Sequence, residues 1–397
     1  MLPDEKNAPR GPERGGGQSA GGMKMIYHNA YIYRKDRRFE YGSFSVREGR
    51  FAPAEDALGE EKVDLRGSFV IPGLVDIHTH GCAGADFSDG DLEGLRRMGD
   101  YYARHGITAF APSSVTLPYE KLEKAFDTAV SYRASRRSNA ARLPGIHMEG
   151  PFFSEKKKGA QNGAFLKLPD YEAFRRLNAG CGGLIRIVDV AAELEGAADF
   201  AEKAAGDCTV SIAHTDADYE AACAVFDAGA RHLTHLFNAM PPIHHRAPGV
   251  IGAASEREKV AAELICDGLH VHPSAVRMAF RLFPGRICLI SDSLRCCGMP
   301  DGRYTLGGQE VFLKGRIPRL ADGTIAGSAT NLYDCMLLAI AFGIPREEAL
   351  AAATILPARQ IGAEEELGSI EAGKRADFVI CDGSLRRKAV YIGGVRV

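Results

Sequence analysis

Long apolar runs are missing from this chain of 397 residues. No stretch approaches the roughly 18 consecutive apolar residues that a membrane-spanning helix needs. The N-terminus also lacks the apolar core that defines a signal peptide. Ten cysteines occur without a Cys-x-x-Cys pair or a regular spacing, which is the usage expected in a reducing compartment. We therefore expect a cytoplasmic protein.

An excess of positive charge is missing as well. Lysine and arginine number 49 against 51 aspartate and glutamate residues, so the formal net charge is -2 and the pI is near 6.6. This balance excludes the broad basic field that non-specific nucleic-acid binding requires. The charge balance does not exclude a small anion bound at a single local site. We therefore expect a small-molecule partner, with neither nucleic acid nor membrane.

The two ends of the chain differ in composition from its middle. Residues 1–22 are rich in glycine, proline and charge, cannot bury enough apolar surface to fold, and are predicted to be a disordered extension. Residues 23–72 and 366–397 both show short strands that alternate apolar and polar positions. Because the two ends share this pattern, we predict that together they form one small β-sandwich domain.

Residues 73–365 repeat a different pattern: a short apolar strand, a loop and an amphipathic helix. Eight such strands alternate with helices over this segment, which predicts an α/β fold of the (β/α)8 TIM-like barrel type. A doubly wound open sheet is the alternative, but no glycine-rich dinucleotide turn follows the first strand. The eight strands are GLVDIHTH, ITAFAPSS, LPGIHMEG, LIRIVDVA, TVSIAHTD, RHLTHLFN, AAELICDG and ICLISDS.

Polar side chains gather where these strands end, which is where a barrel of this type carries its chemistry. One histidine at a strand end is usually an ordinary loop residue. Six of the 12 histidines lie at such ends, however, so a common site is the better explanation. The strand-end set is Asp76, His78, His80, His147, Glu149, His214, His235, Asp267, His270 and Asp292.

Imidazole nitrogens and carboxylate oxygens are suitable ligands for Zn²⁺ and Fe²⁺. A catalytic metal keeps one position open for water and lowers the pKa of that water from about 15.7 towards about 7. Asp292, at the end of the eighth strand, could take the proton of this water and later pass it to a leaving amine. The pattern therefore predicts a metal-dependent hydrolase.

Several motifs resemble those of the amidohydrolase superfamily and, within it, the N-acetylglucosamine-6-phosphate deacetylase family. The resemblance covers nearly everything after residue 22. The EGP and THLFNAM stretches are specific to that family, whereas His-x-His alone is not. The matching motifs, in chain order, are PGLVDIHTHG, HMEGPFFSEKKKGAQN, AHTDADYEA, THLFNAMPPIHHRAPGVIGAA, DGLHVHP, SDSLRCCGMPDGRYTLGG and IAGSATNLYD.

The resemblance implies hydrolysis of N-acetylglucosamine 6-phosphate to glucosamine 6-phosphate and acetate, with one or two Zn or Fe ions per subunit of a homodimer. It implies that Glu149, His214 and His235 bind the principal metal. His78 and His80 would support a second metal, and Asp292 would be the catalytic acid and base. The implied substrate contacts are His270, Asn238, Ala239 and Arg246, the last binding phosphate across the dimer interface.

Three positions depart from the family pattern. Gln161, a further expected substrate-binding residue, replaces a histidine that members of the family commonly have near the substrate; it can still form hydrogen bonds but cannot carry a charge. Asp292 lies in SDS where TDA is usual, and RAPG replaces REPG beside Arg246. None of these changes removes a metal ligand or the base. Two alternatives stay open: a related amidohydrolase, acting on another N-acetylhexosamine phosphate or on a cyclic amide, and a non-catalytic paralogue that binds sugar phosphates.

Overall fold

The computed structural model describes residues 25–53 and 61–397, so the predicted extension over residues 1–22 lies outside the described residues. The strands, in chain order, are β1 Met25–Tyr33, β2 Phe39–Arg47, β3 Arg50–Ala52, β4 Glu61–Pro72, β5 Leu74–Thr79, β6 Gly81–Cys82, β7 Ala85–Asp86, β8 Ile107–Pro112, β9 Ile146–Met148, β10 Ile185–Val190, β11 Thr209–Ile212, β12 His232–Leu233, β13 Ala261–Ile265, β14 Ile287–Ile290, β15 Gly302–Leu306, β16 Gln309–Lys314, β17 Ile317–Leu320, β18 Phe378–Cys381, β19 Arg387–Ile392 and β20 Val395–Arg396.

The helices are α1 Leu92–Arg104, α2 Tyr119–Ser135, α3 Tyr171–Gly180, α4 Ala197–Ala204, α5 Tyr219–Asp227, α6 Gly249–Ser255, α7 Pro273–Leu282, α8 Leu332–Ala341, α9 Arg346–Ala353 and α10 Ile355–Gln360. Short 3₁₀ turns cover Phe87–Asp89, Glu155–Lys157 and Gly163–Phe165. Within the described ranges, no helix is both long and apolar enough to cross a bilayer.

Strands from both ends of the chain share one sheet, in the order β20-β19-β18-β4-β1-β2-β3. β4 pairs parallel with β1 and antiparallel with β18, which joins the two ends. Alternate residues point into an aromatic cluster in which Tyr27 stacks on Phe44 with ring centroids 4.9 Å apart, and Phe378 meets both rings edge-on. A sheet-rich region built from both ends was thus correctly predicted; its two-layered sandwich form stays a prediction.

The eight apolar segments of the middle region are all strands, and they occur in the predicted order. β9 to β14 form a six-stranded parallel sheet, while β5 and β8 form a separate parallel pair. An isolated parallel bridge from Ser113 to His147 links the end of β8 to β9. On the other side, the Asp292 amide donates to the His78 carbonyl at 2.9 Å. Closure of the two sheets into one barrel remains a prediction.

Some helices between the parallel strands, such as α1, α3 and α5, begin at a capping side chain, whereas α2, α4 and α6 do not. Asp91 precedes α1, and its carboxylate accepts hydrogen bonds from the amides of Glu93 and Gly94. Such caps satisfy amide groups that have no partner within the helix. Leu95, Met98 and other apolar residues of α1 are buried, as its periodicity predicts. The helices therefore cover the parallel strands and leave the strand ends to carry polar groups.

A three-stranded antiparallel sheet, in the order β15-β16-β17, follows β14 and was not predicted from the sequence. The adjacent Cys296 and Cys297, just before this sheet, are buried free thiols. Burial raises the pKa of Cys296 to about 11 and that of Cys297 to about 12. Both side chains therefore remain protonated and unreactive at neutral pH.

Candidate active site

Six side chains meet at the carboxyl ends of the parallel strands. His78 lies near the end of β5 and His80 follows that strand, while Glu149 directly follows β9. His214, His235 and Asp292 each lie two residues beyond the ends of β11, β12 and β14. All six are buried. Their common location follows from the parallel arrangement of the strands, which brings these ends to the same edge.

Three of these residues have backbone angles that are unusual for side chains other than glycine. The φ angles are 44° at His214, 31° at His235 and 47° at Asp292. Left-handed conformations of this kind cost free energy and persist only where the surrounding structure enforces them. The chain therefore turns sharply after β11, β12 and β14, and each turn directs a polar side chain to the common centre.

Glu149, His214 and His235 form the tightest group. The Oε1 atom of Glu149 is 3.1 Å from Nε2 of His214 and 3.4 Å from Nε2 of His235. The two Nε2 atoms are 3.1 Å apart. Ligands bound tetrahedrally to zinc at about 2.1 Å lie about 3.4 Å from one another. The spacing of these three atoms therefore fits a single metal ion.

His78 and His80 complete a second group around the same glutamate. Nε2 of His80 is 3.3 Å from Oε2 of Glu149 and 3.3 Å from Oδ1 of Asp292. Nε2 of His78 is 3.6 Å from Oε1 of Glu149 and 3.7 Å from Oδ1 of Asp292. These distances also match those between ligands of one ion. Glu149 belongs to both groups.

The outer nitrogen of three imidazoles contacts an oxygen that can only accept a hydrogen bond. Nδ1 of His214 is 2.9 Å from the Lys157 carbonyl, and Nδ1 of His80 is 3.2 Å from the Ser113 carbonyl. Nδ1 of His78 is 2.8 Å from a carboxylate oxygen of Glu263. Each of these Nδ1 atoms must therefore carry a proton, so that the ring in its neutral form presents its Nε2 lone pair to the centre. Lone pairs and carboxylates that converge in this way fit a cation.

Charges within the group raise the pKa of His78 and lower the pKa of Glu149. Burial is the largest influence on His78 and opposes its charged form, yet Glu263 and Glu149 together hold its pKa well above the ordinary value. Burial likewise opposes ionisation of Glu149, but His80, His214, His235 and His78 lower its pKa well below the ordinary value. Without a metal ion, imidazolium protons would therefore balance the carboxylates. A divalent cation could replace those protons.

Gln161 contacts this group through its side-chain amide. Its Nε2 donates to Oε2 of Glu149 at 2.7 Å, and its Oε1 accepts from the backbone amide of Thr116 at 2.7 Å. Both ends of the amide are therefore bound to protein groups. This arrangement fixes the orientation of the Glu149 carboxylate. The predicted substrate contact of Gln161 stays a prediction. What the structure shows is its hydrogen bond to Glu149, a candidate metal ligand.

The other predicted substrate residues lie around the site. Nδ1 of His270 is 2.8 Å from Asp267, which also accepts the His270 backbone amide at 2.9 Å. Burial, the largest influence on His270, opposes its charged form, but Asp267 outweighs it and the pKa of His270 is raised. Asn238 donates its backbone amide to the His235 carbonyl at 2.9 Å, so that amide is already used within the turn. Ala239 follows with a φ of 52°.

Arg246 differs from the buried residues because it is exposed on a tight turn. Its guanidinium is 2.8 Å from Nε2 of His245, and the turn is closed by bridges between His244 and Ala247. Lys156 and Lys157, two other basic residues, pair with Asp216 at 3.1 and 3.7 Å. The structure of one subunit therefore does not bring Arg246 into the buried group.

Two buried carboxylates were missed as functional candidates. Glu263 lies inside β13 and Asp189 inside β10, and both side chains are fully buried. Glu263 contacts His78, as described above, and Asp189 is 3.0 Å from Nε2 of His147. Glu263 is the one charged residue of β13 (AAELI), and Asp189 is the one acidic residue of β10 (IRIVDV), in which Arg186 is exposed. An ionised side chain is costly in such a place unless it is paired, so that pattern was the available signal.

Comparison with known proteins agrees with this arrangement. The amidohydrolase family profile matches residues 69–397. N-acetylglucosamine-6-phosphate deacetylase from Bacillus subtilis is 38% identical over 328 residues, which cover 79% of this chain and 80% of that protein. N-acetylgalactosamine-6-phosphate deacetylase from Escherichia coli O157:H7 is 34% identical, covering 82% and 86%. The crystal structure of N-acetylglucosamine-6-phosphate deacetylase from Pasteurella multocida has a TM-score of 0.87 at 27% identity and covers 94% of this chain and all (100%) of that one.

Proposed function

This chain belongs to the amidohydrolase family, and we propose that it hydrolyses the acetamide of N-acetylglucosamine 6-phosphate to glucosamine 6-phosphate and acetate. The observation that carries the proposal is the convergence of four imidazole Nε2 atoms on Glu149 and Asp292, at contacts of 3.1 to 3.7 Å. Amide hydrolysis needs an activated water and a group that exchanges protons; this set of side chains would hold the ion that activates the water, and Asp292 would exchange the protons.

The residues present fit one or two divalent ions, for which we propose Zn²⁺ or Fe²⁺ because the ligands are imidazole and carboxylate. Glu149, His214 and His235 would hold the principal ion, and His78 and His80 would hold a second. A bound ion of this kind lowers the pKa of water and polarises the carbonyl that water attacks. Gln161 would keep the Glu149 carboxylate in the orientation that binding requires.

Asp292 is the proposed acid and base. Burial is the largest influence on it and raises its pKa, but His80 and His78 outweigh that effect and the pKa is lowered. Asp292 is therefore ionised at neutral pH and can accept the proton of the attacking water. It would then return this proton to the amine as the C–N bond breaks, which makes the amine a better leaving group.

The proposed substrate contacts bind the parts of the sugar that do not react. Asp267 fixes the ring of His270 beside the buried group, where it would contact the acetamide or a sugar hydroxyl. Arg246 would bind the phosphate from the partner subunit of a homodimer, since it is exposed on its own subunit. Guanidinium is suited to phosphate because it can form two parallel hydrogen bonds. Such remote contacts would position the acetamide for attack.

Two further features belong to the same proposal. We take the two parallel sheets to close into one (β/α)8 barrel, because Ser113 bridges to His147 on one side and Asp292 donates to the His78 carbonyl on the other. We also place the protein in the cytoplasm, where its ten free cysteines would stay reduced.

Acetate release from three substrates tests the proposal: N-acetylglucosamine 6-phosphate, N-acetylgalactosamine 6-phosphate and unphosphorylated N-acetylglucosamine. We expect kcat/KM for the phosphorylated glucosamine to exceed that for the unphosphorylated sugar by about 10- to 100-fold, since charge-assisted hydrogen bonds are worth about 1.5–3 kcal/mol. The galactosamine isomer is the second candidate because one relative acts on it by name. Absence of acetate release from either phosphosugar by metal-loaded protein would contradict the proposal.

A further inference from the structure

Glu263 contacts both halves of the candidate metal site from behind. Its Oε2 accepts the Nδ1 proton of His78 at 2.8 Å and the backbone amide of His235 at 3.2 Å. His78 belongs to one metal group and His235 to the other. A single carboxylate oxygen therefore fixes the ring of one ligand and the backbone of another, at a residue whose φ of 31° needs support from its surroundings.

A charged group on the far side of Glu263 stabilises it as a carboxylate. Both ring nitrogens of His147 face oxygens that accept: Nδ1 is 3.0 Å from the Ile77 carbonyl, and Nε2 is 3.0 Å from the carboxylate of Asp189. Both nitrogens of His147 therefore carry protons, and the ring is a cation. Oε1 of Glu263 is 3.7 Å from Nδ1 of this ring. A buried negative charge at Glu263 thus has a fixed positive neighbour.

Glu263 is not placed to be a metal ligand itself. It contacts the Nδ1 side of His78, whereas Glu149 and Asp292 lie on the Nε2 side of the same ring. The group His78, His147 and Glu263 also lies close enough together to hold an ion. In that group, however, the facing nitrogens of both histidines already donate to oxygen atoms. The geometry favours support of a ligand over a further metal position.

We propose that Glu263 is a positioning residue that holds His78 in the Nδ1-protonated form, with its Nε2 lone pair facing Glu149 and Asp292, and that this completes the second metal position. The inference rests on the proposed metal site and adds to it the residue that fixes His78. Carboxylates that bind the outer nitrogen of a metal-bound histidine typically change metal affinity by 10- to 100-fold.

Metal binding by Glu263→Gln and Glu263→Ala tests the proposal without reference to activity. Metal content would be measured by elemental analysis, and affinity by competition with a chromophoric chelator. We expect wild-type protein to bind two ions. In the variants, the second ion should bind about 10- to 100-fold more weakly, more so in Ala than in Gln. The first ion should lose less affinity, because Glu263 contacts its ligand His235 only through the backbone amide, at 3.2 Å. The Gln variant should be milder because its amide oxygen can still accept from His78.

Cys288→Ala is the matched control, because Cys288 pairs with Glu263 in register on the neighbouring strand and is equally buried. It disturbs packing at the same level of the sheet without removing a bond to His78. It should bind both ions as wild type does. The proposal would be overturned if a folded Glu263→Ala protein bound two ions with wild-type affinity. It would also be overturned if the wild-type protein bound one ion only.

A second measurement decides the question even if the variants do not fold. In metal-free wild-type protein with ¹⁵N-labelled histidine, long-range ¹H–¹⁵N spectra should show Nδ1 of His78 protonated and hydrogen-bonded. A ring protonated on Nε2 but not on Nδ1 would overturn the proposal. A failure of the proposed function can be told apart from a failure of this proposal. If the protein released no acetate, the number of bound ions and the protonation of His78 would still be as predicted here.

Discussion

Asp292 is the residue on which the proposed chemistry depends most directly. Its carboxylate is 3.3 Å from Nε2 of His80, and its backbone is held in a left-handed conformation. Asparagine has nearly the same shape but cannot accept a proton from water at neutral pH. Shape and proton transfer can therefore be separated at this position.

We expect Asp292→Asn to lower kcat by about 10²- to 10⁴-fold, which is the usual contribution of a positioned acid or base. At least one equivalent of metal should remain, because Glu149, His214 and His235 are unchanged. Steady-state acetate release and elemental analysis would measure the two effects. Asp322→Asn, in the turn after β17, makes the same acid-to-amide change away from the site and should leave kcat unaltered. An active Asp292→Asn enzyme would remove Asp292 from the mechanism.

The turn after β5 is the element that holds the His-x-His pair in place. Gly81 follows His80, and its amide donates to the Ser293 carbonyl at 2.9 Å. A Cβ atom at Gly81 would lie 2.2 Å from the Ala85 carbonyl oxygen and 2.9 Å from the Arg295 amide nitrogen. Both neighbours are backbone atoms, so the side chain could be accommodated only if the turn moved.

Gly81→Ala should therefore lower the free energy of unfolding by about 1–3 kcal/mol or more, as overpacking usually does. It should also weaken metal binding by His78 and His80, because His80 moves with the turn. Denaturant unfolding and metal titration would measure both. Gly180→Ala is the control, since a Cβ there has no atom within 4 Å. Equal stability of the two variants would show that the turn tolerates the side chain.

The strands and the residues at their ends differ in how well the sequence predicts them. Each of the eight parallel strands was predicted because its apolar run is short and is followed by a helical pattern. The histidines at their ends were predicted because parallel strands share one edge. Glu263 and Asp189 were not, since each lies inside its strand instead of at the end, and the histidine that pairs with each carboxylate is known only from the contacts. The sheet of β15 to β17 was missed because its strands carry few buried residues, one in β15 and two in β16.

The proposed contact between Arg246 and the substrate phosphate must be tested in the oligomer, because we propose that it crosses the subunit interface. Arg246 is exposed on its own subunit, which is the arrangement expected of a residue that serves a neighbouring site. Arg246→Ala should raise KM for the phosphorylated substrate and leave the slow rate on the unphosphorylated sugar unchanged.

Subunit complementation shows whether Arg246 acts across an interface. Arg246→Ala and Asp292→Asn proteins would be mixed, unfolded and refolded together, and assayed at a substrate concentration far below KM, where each variant alone has low activity. Half of the dimers should be hybrids with one intact site each, which restores about a quarter of wild-type activity. Refolding each variant alone is the control. A mixture no more active than the average of its two components would place Arg246 in its own subunit's site or outside any site.

Metal removal tests whether this protein is a metal-dependent deacetylase of a hexosamine phosphate. Protein dialysed against a chelator would be assayed for acetate release from N-acetylglucosamine 6-phosphate and then reloaded with Zn²⁺ or Fe²⁺ in measured amounts. We predict that activity falls in proportion to the metal removed and returns as the ions bind to Glu149, His214 and His235. Full activity in protein that retains less than about a tenth of an equivalent of metal would contradict the account, because the water would then lack the ion that lowers its pKa.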